Sequence, residues 1–255
     1  MDPKKRRERI LERVYAEQSV LVDDLARELG CSRETLRRDL GALARRGLVR
    51  KFHGGAELPA TDGENPFQMR MSENARGKRR IADLAASLFH SGDSLLIDTG
   101  TTTVYFAKAL AKSGTFSIIT NSTIIADIFA HAAGEHTVFL IGGQYHGDAS
   151  ETLGSIAVEQ ARIYRAAHAV VTVAAIDGNF GITDYSLEES QIARTMLAQA
   201  QQRTVIADSS KFDRTALFEV CPLERIDRLV TDEQPPPRLK GELEKAGVEI
   251  LIAGE

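Results

Sequence analysis

The chain has 255 residues, of which 43% are hydrophobic and 27% are charged, and its formal net charge at pH 7 is −4. This composition is typical of a globular protein, and it excludes disordered and fibrous classes. Membrane-embedded classes are excluded because no run of about 18 apolar residues occurs. The length suits one small domain and one of medium size.

The sequence lacks the patterns that indicate export or metal binding. It begins Met1-Asp2-Pro3 and continues with Lys and Arg rather than with an apolar stretch. The two cysteines, Cys31 and Cys221, are far apart and lack the paired spacing of a zinc site. We therefore expect a cytoplasmic protein with reduced thiols, no metal, no cofactor and no association with membranes.

Charge is distributed unevenly along the chain. Residues 1–56 hold 14 Lys and Arg against 9 Asp and Glu, whereas the remainder holds 18 against 27. Lys and Arg dominate non-specific affinity for nucleic acid because they neutralise phosphates, so this asymmetry indicates that only the first segment faces a polyanion. Charge alone leaves open the alternative of a solvated charged helix.

The N-terminal segment begins with two predicted helices. Residues 5–16 place Ile10 and Val14 on one face at helical spacing. A short second helix over 23–29 carries acidic residues in its first turn, where the helix dipole favours them, and it ends at Gly30.

A third predicted helix follows directly. Ser32 is a natural N-cap for a helix that runs to about Arg46. Leu36, Leu40 and Leu43 share one face and bury this helix against the first two. Its outward face near the start is polar and basic.

Gly47 is predicted to end this third helix. Residues 48–56 then predict a short basic hairpin, which would form a wing. Two short helices joined by a tight turn suit insertion of the second helix into the major groove of DNA. Any single arginine here could be a solvated surface residue, but the combined pattern favours DNA binding. The candidate DNA-binding residues are Ser32, Arg33, Thr35, Arg37, Arg38, Arg50, Lys51 and His53.

The composition predicts three segments. A winged helix-turn-helix domain over 1–57 is followed by a polar, proline-containing linker over 58–77 and by a larger domain over 78–255. In the larger domain, apolar runs alternate with helical patterns, which predicts an α/β fold with a mainly parallel sheet covered by helices on both faces. The predicted strands are 95–97, 116–119, 138–141, 169–175, 204–207, 227–230 and 249–252, and the predicted helices include 79–89, 103–111, 122–131, 154–163 and 187–200.

Polar clusters follow several of these strands, where ligands bind in parallel sheets. The threonine-rich cluster after the first strand opens a helix, and its backbone amides, hydroxyls and helix dipole suit an anion. It lacks the lysine pattern of nucleotide-triphosphate loops and the GxGxxG of dinucleotide sites. Taken singly, these clusters could also be helix caps, plain turns or a solvated lysine. The candidate ligand-binding residues are Asp98, Gly100, Thr101, Thr102, Asn121, Gly143 and Lys211.

The segment from Arg7 to Ala56 resembles the DNA-binding domain of the DeoR family of bacterial sugar-metabolism regulators. The resemblance rests on Ser32-x-x-Thr35-Leu36-Arg37-Arg38-Asp39-Leu40, Gly47-Leu48 and His53-Gly54-Gly55-Ala56. It implies that Arg37 and Arg38 contact operator DNA. It also implies that Asp39 orients an arginine or a helix rather than meeting phosphate directly.

The larger domain is similar to the sensor domain of that family, whose fold is related to ribose-5-phosphate isomerase and to CoA transferases. The resemblance implies that the strand-end candidates bind a phosphorylated sugar. It departs at Ala174-Ala175, where the family has glycine and where added methyl groups would narrow the pocket. The matching positions are Lys78-x-x-Ile81-Ala82, Asp98-x-Gly100-Thr101-Thr102, Thr120-Asn121, Gly142-Gly143, Gly181-x-x-Asp184, Glu188-Glu189 and Asp208-x-Ser210-Lys211-Phe212.

These features predict a repressor of carbohydrate or polyol catabolism genes whose operator affinity responds to a phosphorylated sugar or polyol. A single small DNA-binding domain makes too few contacts for tight specific binding to DNA, so we expect a homo-oligomer, either a dimer or a tetramer. An activator, or a regulator of a different small ligand, stays open as an alternative. Isomerase-like activity is disfavoured because a DNA-binding head has no purpose in an isomerase, so we expect no catalytic residues.

Overall fold

The computed structural model describes residues 2–17, 19–45, 48–52, 54–57 and 65–254. The chain divides into two compact units, Met1–Asp62 and Gly63–Glu255. Among the described residues, no helix combines the length and apolar character that a membrane crossing requires.

Within its described residues, the first unit has three helices and a small antiparallel sheet. The helices are α1 (Pro3–Glu17), α2 (Val22–Leu29) and α3 (Arg33–Arg45), and the strands are β1 (Ser19–Leu21), β2 (Arg50–Phe52) and β3 (Gly55–Glu57). The strand order is β1-β3-β2, and the core includes Ile10, Leu25 and Leu40. The three predicted helices and the wing hairpin are confirmed, whereas the predicted helix end at Arg46 and Gly47 lies outside the described residues.

The turn between α2 and α3 follows from two residues. Gly30 adopts the left-handed conformation (φ 59°, ψ 37°), and its N–H donates to the Ala26 carbonyl, which ends α2. The Ser32 hydroxyl then accepts a hydrogen bond from the Thr35 N–H at 3.1 Å and caps α3. The sequence therefore fixes a tight turn between the two helices.

The second unit is built on a seven-stranded parallel sheet. In spatial order its strands are β15 (Glu249–Ile252), β14 (Arg228–Thr231), β12 (Ala200–Ile206), β9 (Ala166–Val171), β4 (Ser94–Ile97), β5 (Ser117–Thr120) and β6 (Thr137–Leu140). Every neighbouring pair runs parallel. Each predicted strand overlaps one of these seven. Together with the first unit, this confirms the predicted fold class, an N-terminal winged helix-turn-helix followed along the chain by an α/β domain.

Helices cover both faces of this sheet. They are α4 (Phe67–Arg70), α5 (Ala75–Ala86), α6 (Thr101–Leu110), α7 (Thr123–Ala130), α8 (Ser155–Ala161), α9 (Leu187–Ala198) and α10 (Pro237–Lys245). Neighbouring strand residues belong to different cores: Leu95 and Ile97 pack with α5 and α6, whereas Leu96 packs in the cluster that contains α9 and α10 residues. Strands buried on both faces are continuously apolar for this reason.

Short strands complete the unit and were not predicted. A hairpin consists of β7 (Gln144–His146) and β8 (Glu151–Leu153), and a small antiparallel sheet consists of β10 (Ala175–Asp177), β11 (Gly181–Asp184) and β13 (Phe218–Cys221). The predicted strand over 169–175 is wrong in its extent, because β9 ends at Val171 and the chain leaves the sheet before β10.

The described part of the predicted linker, residues 65–77, belongs to the second unit. Phe67 is only 1% exposed and packs in the same core as α5 and α6. Its N–H donates to the Asp148 carboxylate at 3.0 Å. The segment is polar overall, so sequence periodicity gave no sign that this one aromatic residue anchors it.

Candidate functional site

The exposed face of α3 carries side chains that were predicted to contact DNA. Arg37 and Arg38 are both exposed. Arg38 forms an ion pair with Glu34 one turn earlier, with 3.4 Å between Nε and Oε1. Arg33 forms an ion pair with Asp23 of α2, with 2.6 Å between Nε and Oδ1. Within the described residues Arg37 has no ion pair, so its five N–H donors can meet an outside partner.

Asp39 lies on the opposite, buried face of α3. Its carboxylate is 3% exposed and accepts hydrogen bonds from Arg6 Nε at 2.6 Å and from Arg7 Nε at 2.8 Å. Asp39 therefore joins α3 to α1, which agrees with the expectation that it orients an arginine. Sequence analysis missed the two arginines, because charged residues outside the apolar stripe of α1 look like a solvated face.

The wing presents its basic residues on β2. Arg50 forms an ion pair with Glu57 of β3 at 2.5 Å, and Lys51 is exposed. A Cβ atom at Gly55 would lie 2.4 Å from the Val20 carbonyl oxygen, so only glycine lets β3 pass β1 at this point. His53, the remaining wing candidate, lies outside the described residues.

In the second unit, loops at the carboxyl ends of β4, β5, β9 and β12 line one cavity of about 250 Å³. Such loops meet at one edge of a parallel sheet, which is where ligands bind in this architecture. Five of the seven predicted ligand-binding residues line this cavity: Asp98, Thr101, Thr102, Asn121 and Lys211.

The two predicted glycines do not line the cavity and have packing roles. A Cβ atom at Gly100 would lie 1.9 Å from Thr172 Cγ2, so the missing side chain lets the start of α6 approach the loop after β9. A Cβ atom at Gly143 would lie 2.6 Å from the Leu153 carbonyl oxygen and 3.0 Å from Ala157 Cβ. Their assignment to ligand binding stays a prediction, since a close approach of neighbouring atoms also requires glycine at both positions.

Neither of the two alanines that depart from the family pattern lines this cavity. Ala174 lines a smaller neighbouring cavity of about 140 Å³, which shares Arg70 and Lys211 with the main one. Ala175 is fully buried in β10 and lines neither. Val173 rather than either alanine lines the main cavity, and the expected narrowing at Ala174-Ala175 stays a prediction.

Several cavity residues were not among the predicted ligand-binding set. They come from the segment around α4 and α5, from β8, from β11 and α9, and from the loop after β12. Lys78, Asp184, Glu189 and Asp208 are positions of the family resemblance to which no role was assigned. Glu151 lies in the unpredicted hairpin, and no sequence pattern indicated it. The charged members of this added set are Arg70, Glu73, Lys78, Glu151, Asp184, Glu189 and Asp208.

Asp98 joins two of the strand ends. Its Oδ1 atom accepts a hydrogen bond from the Thr172 N–H at 3.0 Å, which ties the loop after β4 to the loop after β9. Burial raises the pKa of Asp98 well above its ordinary value, the Thr172 hydrogen bond opposes this, and the nearby carboxylates of Asp184, Glu151 and Glu189 raise it further.

Glu151 shows a similar effect. Burial raises its pKa to about 7, whereas the neighbouring Thr99 side chain and the positive charge of Arg70 lower it. Asp184 and Asp148 add to the increase. Near neutral pH this side chain is therefore present in both protonation states.

Lys78 contributes a buried basic side chain to the cavity wall. It is 3% exposed, and its ammonium donates to the Arg70 carbonyl oxygen. Burial lowers the pKa of Lys78, and the Asp208 carboxylate raises it. Asn74, at the start of α5, donates to the Asp232 carboxylate at 2.7 Å, and this bond fixes α5 against the end of β14.

Comparison with known proteins covers both units. Residues 6–62 match the model described as the DeoR-like helix-turn-helix domain, and residues 73–233 match the DeoR C terminal sensor domain. The chain is 31% identical over 234 residues to the HTH-type transcriptional repressor CsqR of Escherichia coli, covering 92% of this chain and 89% of that protein.

A second relative and one solved structure extend the comparison. The glycerol-3-phosphate regulon repressor of Escherichia coli is 27% identical over 227 residues, which cover 89% of this chain and 90% of that protein. Ribose 5 phosphate isomerase A of Neisseria gonorrhoeae superposes with a TM-score of 0.37 and 16% identity, over 52% of each chain.

Proposed function

Because this chain belongs to the DeoR family of transcriptional regulators, we propose that it represses genes of carbohydrate or polyol catabolism and that a phosphorylated sugar or polyol modulates its operator affinity. Both relatives described above are named as repressors, which favours repression over activation. Neither is named as an enzyme, in agreement with the expected absence of catalytic activity.

The anion-binding groups that line the cavity are the observation that carries the effector proposal. Arg70, Lys78 and Lys211 line it together with Thr101 and Thr102 from the first turn of α6. The N–H groups of a first helical turn have no partners within the helix and favour anions. A phosphate group, with its negative charge and several acceptor oxygens, matches this set of donors. We assign Asp98, Thr101, Thr102, Asn121 and Lys211 to effector binding.

The exposed face of α3 supports the DNA-binding proposal. We assign base and phosphate contacts in the major groove to α3 and additional backbone contacts to the wing. Arginine pairs with guanine through two parallel hydrogen bonds, and Arg37 is exposed without an intramolecular ion pair within the described residues. The proposed DNA-binding residues within the described ranges are Ser32, Arg33, Thr35, Arg37, Arg38, Arg50 and Lys51.

An exposed apolar face supports assembly of identical chains. Strand β6 lies at one edge of the parallel sheet and exposes Phe139 and Leu140. The centroids of the Phe139 and Tyr164 rings lie 5.5 Å apart. Ile163, which precedes Tyr164 in the chain, is 77% exposed. An open apolar edge is a template for pairing with another strand. We propose that a second copy of this chain covers this face.

Light scattering tests the proposed assembly. We expect Leu140→Lys to lower the molar mass in solution to that of the monomer. The matched change Leu217→Lys, at a residue 81% exposed outside this face, should leave the mass unchanged. Equal masses for wild type and Leu140→Lys would place the oligomer contact elsewhere.

Fluorescence anisotropy on the DNA upstream of the gene, at fixed salt, tests the regulatory proposal. Phosphorylated sugars and polyols are titrated one by one, and we expect one of them to change operator affinity by about 5- to 150-fold, the usual range of allosteric coupling. If no compound changes the operator affinity, the effector assignment is contradicted and the DNA-binding assignment is left intact.

Two variants separate the proposed functions of the units. We expect Lys211→Ala to remove the effector response while operator affinity persists, and the exposed Lys245→Ala to behave as wild type. We expect Arg37→Ala to weaken operator binding by about 10-fold or more, the loss of one base contact, while effector binding persists. Arg9→Ala, on the exposed face of α1, is its control.

A further inference from the structure

The second unit carries another cleft, of about 310 Å³, apart from the cavity at the strand ends. Its walls come from the C-terminal half of α9, from β12, from β13 and from the turn that follows β13. It shares no lining residue with the main cavity. Clefts that bind small molecules begin at about 300 Å³, so this one has room for a compact ligand.

Part of the cleft wall is apolar and buried. Leu197 of α9 and Val220 of β13 line it and are 3% and 1% exposed. Cys221 lies beside Val220, and burial raises the pKa of its thiol to about 12, so the thiol is neutral at pH 7. An apolar ligand group can therefore cover this wall without meeting a charge, and the water that it displaces favours binding.

Three arginines line the same cleft, and they differ in their partners. Arg203 donates two hydrogen bonds to the Asp227 carboxylate, at 2.8 and 3.0 Å, so its charge is balanced within the fold. Arg194 Nε donates to the Val220 carbonyl oxygen at 3.1 Å, and another of its nitrogens donates to the carbonyl oxygen before it. Arg225 is exposed and forms no ion pair among the described residues. Two of the three arginines therefore have no carboxylate partner in this part of the fold.

The sum of charges at the cleft suits an anion with a single negative charge. Its charged lining residues are the three arginines and Glu219, and the same four groups act electrostatically on the Cys221 thiol. With Asp227, which is paired to Arg203, two negative charges stand against three positive ones. A monoanion would therefore make the cleft neutral, whereas a dianion would leave an excess of negative charge beside an apolar wall.

A carboxylate fits the donors that remain. The guanidinium group of Arg194 has five N–H donors, and its two hydrogen bonds to carbonyl oxygens use two of them. These bonds also hold the group in place, which lowers the entropy cost of binding. Arginine binds carboxylates through parallel hydrogen bonds, and the free guanidinium group of Arg225 can approach the same ligand group.

We propose that this cleft is a second ligand site, for an organic molecule with one carboxylate and an apolar chain or ring. The carboxylate meets Arg194 and Arg225, and the apolar part covers Leu197 and Val220. The site is independent of the proposed effector site, because the two have no lining residue in common.

Isothermal titration calorimetry of the full chain at pH 7 tests the inference. Hexanoate and benzoate are the probes, acetate lacks the apolar part, and hexan-1-ol lacks the charge. A buried methylene group strengthens binding by about 4-fold, so we expect hexanoate or benzoate to bind at least about 10-fold more tightly than acetate and hexan-1-ol. An excess of inorganic phosphate should leave this affinity unchanged. Equal binding of probe and comparison compounds, or displacement of the probe by phosphate, overturns the inference.

Variants locate the binding. We expect Arg225→Gln, at an exposed side chain without an ion pair among the described residues, to weaken probe binding by about 10-fold or more. Ala198→Glu adds a negative charge at an exposed lining residue and should have the same effect. The control is Arg238→Gln, at an exposed position of α10 that does not line the cleft. Probe affinity that survives both cleft variants overturns the inference.

Light scattering on the same variants tests a different occupant. If no carboxylate binds wild type and Arg225→Gln lowers the molar mass in solution, the cleft is a contact between copies of this chain and the inference is overturned. An unchanged mass together with the loss of probe binding supports the ligand site.

Discussion

Removal of the buried carboxylate that joins α3 to α1 should destabilise the first unit. In Asp39→Asn one of two hydrogen bonds to arginine is lost, and the negative charge disappears from a site only 3% exposed. Hydrogen bonds to charged groups contribute about 1.5–3 kcal/mol, and removal of one partner of a buried pair costs about 3–5 kcal/mol. Arg6 is 12% exposed but Arg7 is 41% exposed, so solvent screening reduces the second contribution. We expect a loss of about 2–4 kcal/mol.

Hydrogen exchange measured by mass spectrometry on peptides from α1 and α3 reports this loss locally. At 1.36 kcal/mol per decade, the protected amides should exchange about 30-fold to about 900-fold faster. The control is Asp23→Asn, which breaks the ion pair with Arg33 on a surface where both side chains are more than half exposed. There the expected loss is under about 1 kcal/mol. Equal acceleration in both variants would show that the buried position of Asp39 has no special weight.

Three further outcomes follow from single positions. Gly41→Ala, in the interior of α3 where the nearest atom to an added Cβ lies at 3.8 Å, should stabilise the first unit by about 0.5–1 kcal/mol in thermal unfolding. Because the pKa of Glu151 is raised from 4.5 to about 7, its protonated form stabilises the fold, so the free energy of unfolding should fall as pH rises through this range. Glu151→Gln should reduce that decline, whereas Glu159→Gln should not. Burial raises the pKa of the Cys221 thiol to about 12, so a thiol reagent at pH 8 should label the half-buried Cys31 first; equal rates would contradict this.

The parallel sheet was predictable because its strands are buried on both faces. A strand such as Leu95–Ile97 must be apolar at every position, and continuous apolar runs between helical patterns are visible in a single sequence. In β7, β8, β10, β11 and β13 polar side chains leave no run of three apolar residues, so no sequence pattern distinguishes these strands from loops.

The cavity was predictable only where it follows from that sheet. Asp98, Asn121 and Lys211 come directly after strands, and topology alone brings them to one edge. Arg70 and Glu151 reach the same cavity from α4 and β8, through tertiary packing that sequence spacing does not encode. Gly143 shows why sequence alone is ambiguous, since a strand-end glycine can be required by a neighbouring backbone as easily as by a ligand.

The anchoring of Phe67 determines where this protein can be cut and joined to others. Residues between Phe67 and Lys78 pack in the second unit and contribute two of the three cations of its cavity. A biosensor that fuses a different DNA-binding head to this ligand-binding unit must therefore place its junction before residue 65. A chimera joined at residue 78, where the sequence predicts that a polar linker ends, would lose Arg70, one of these cations.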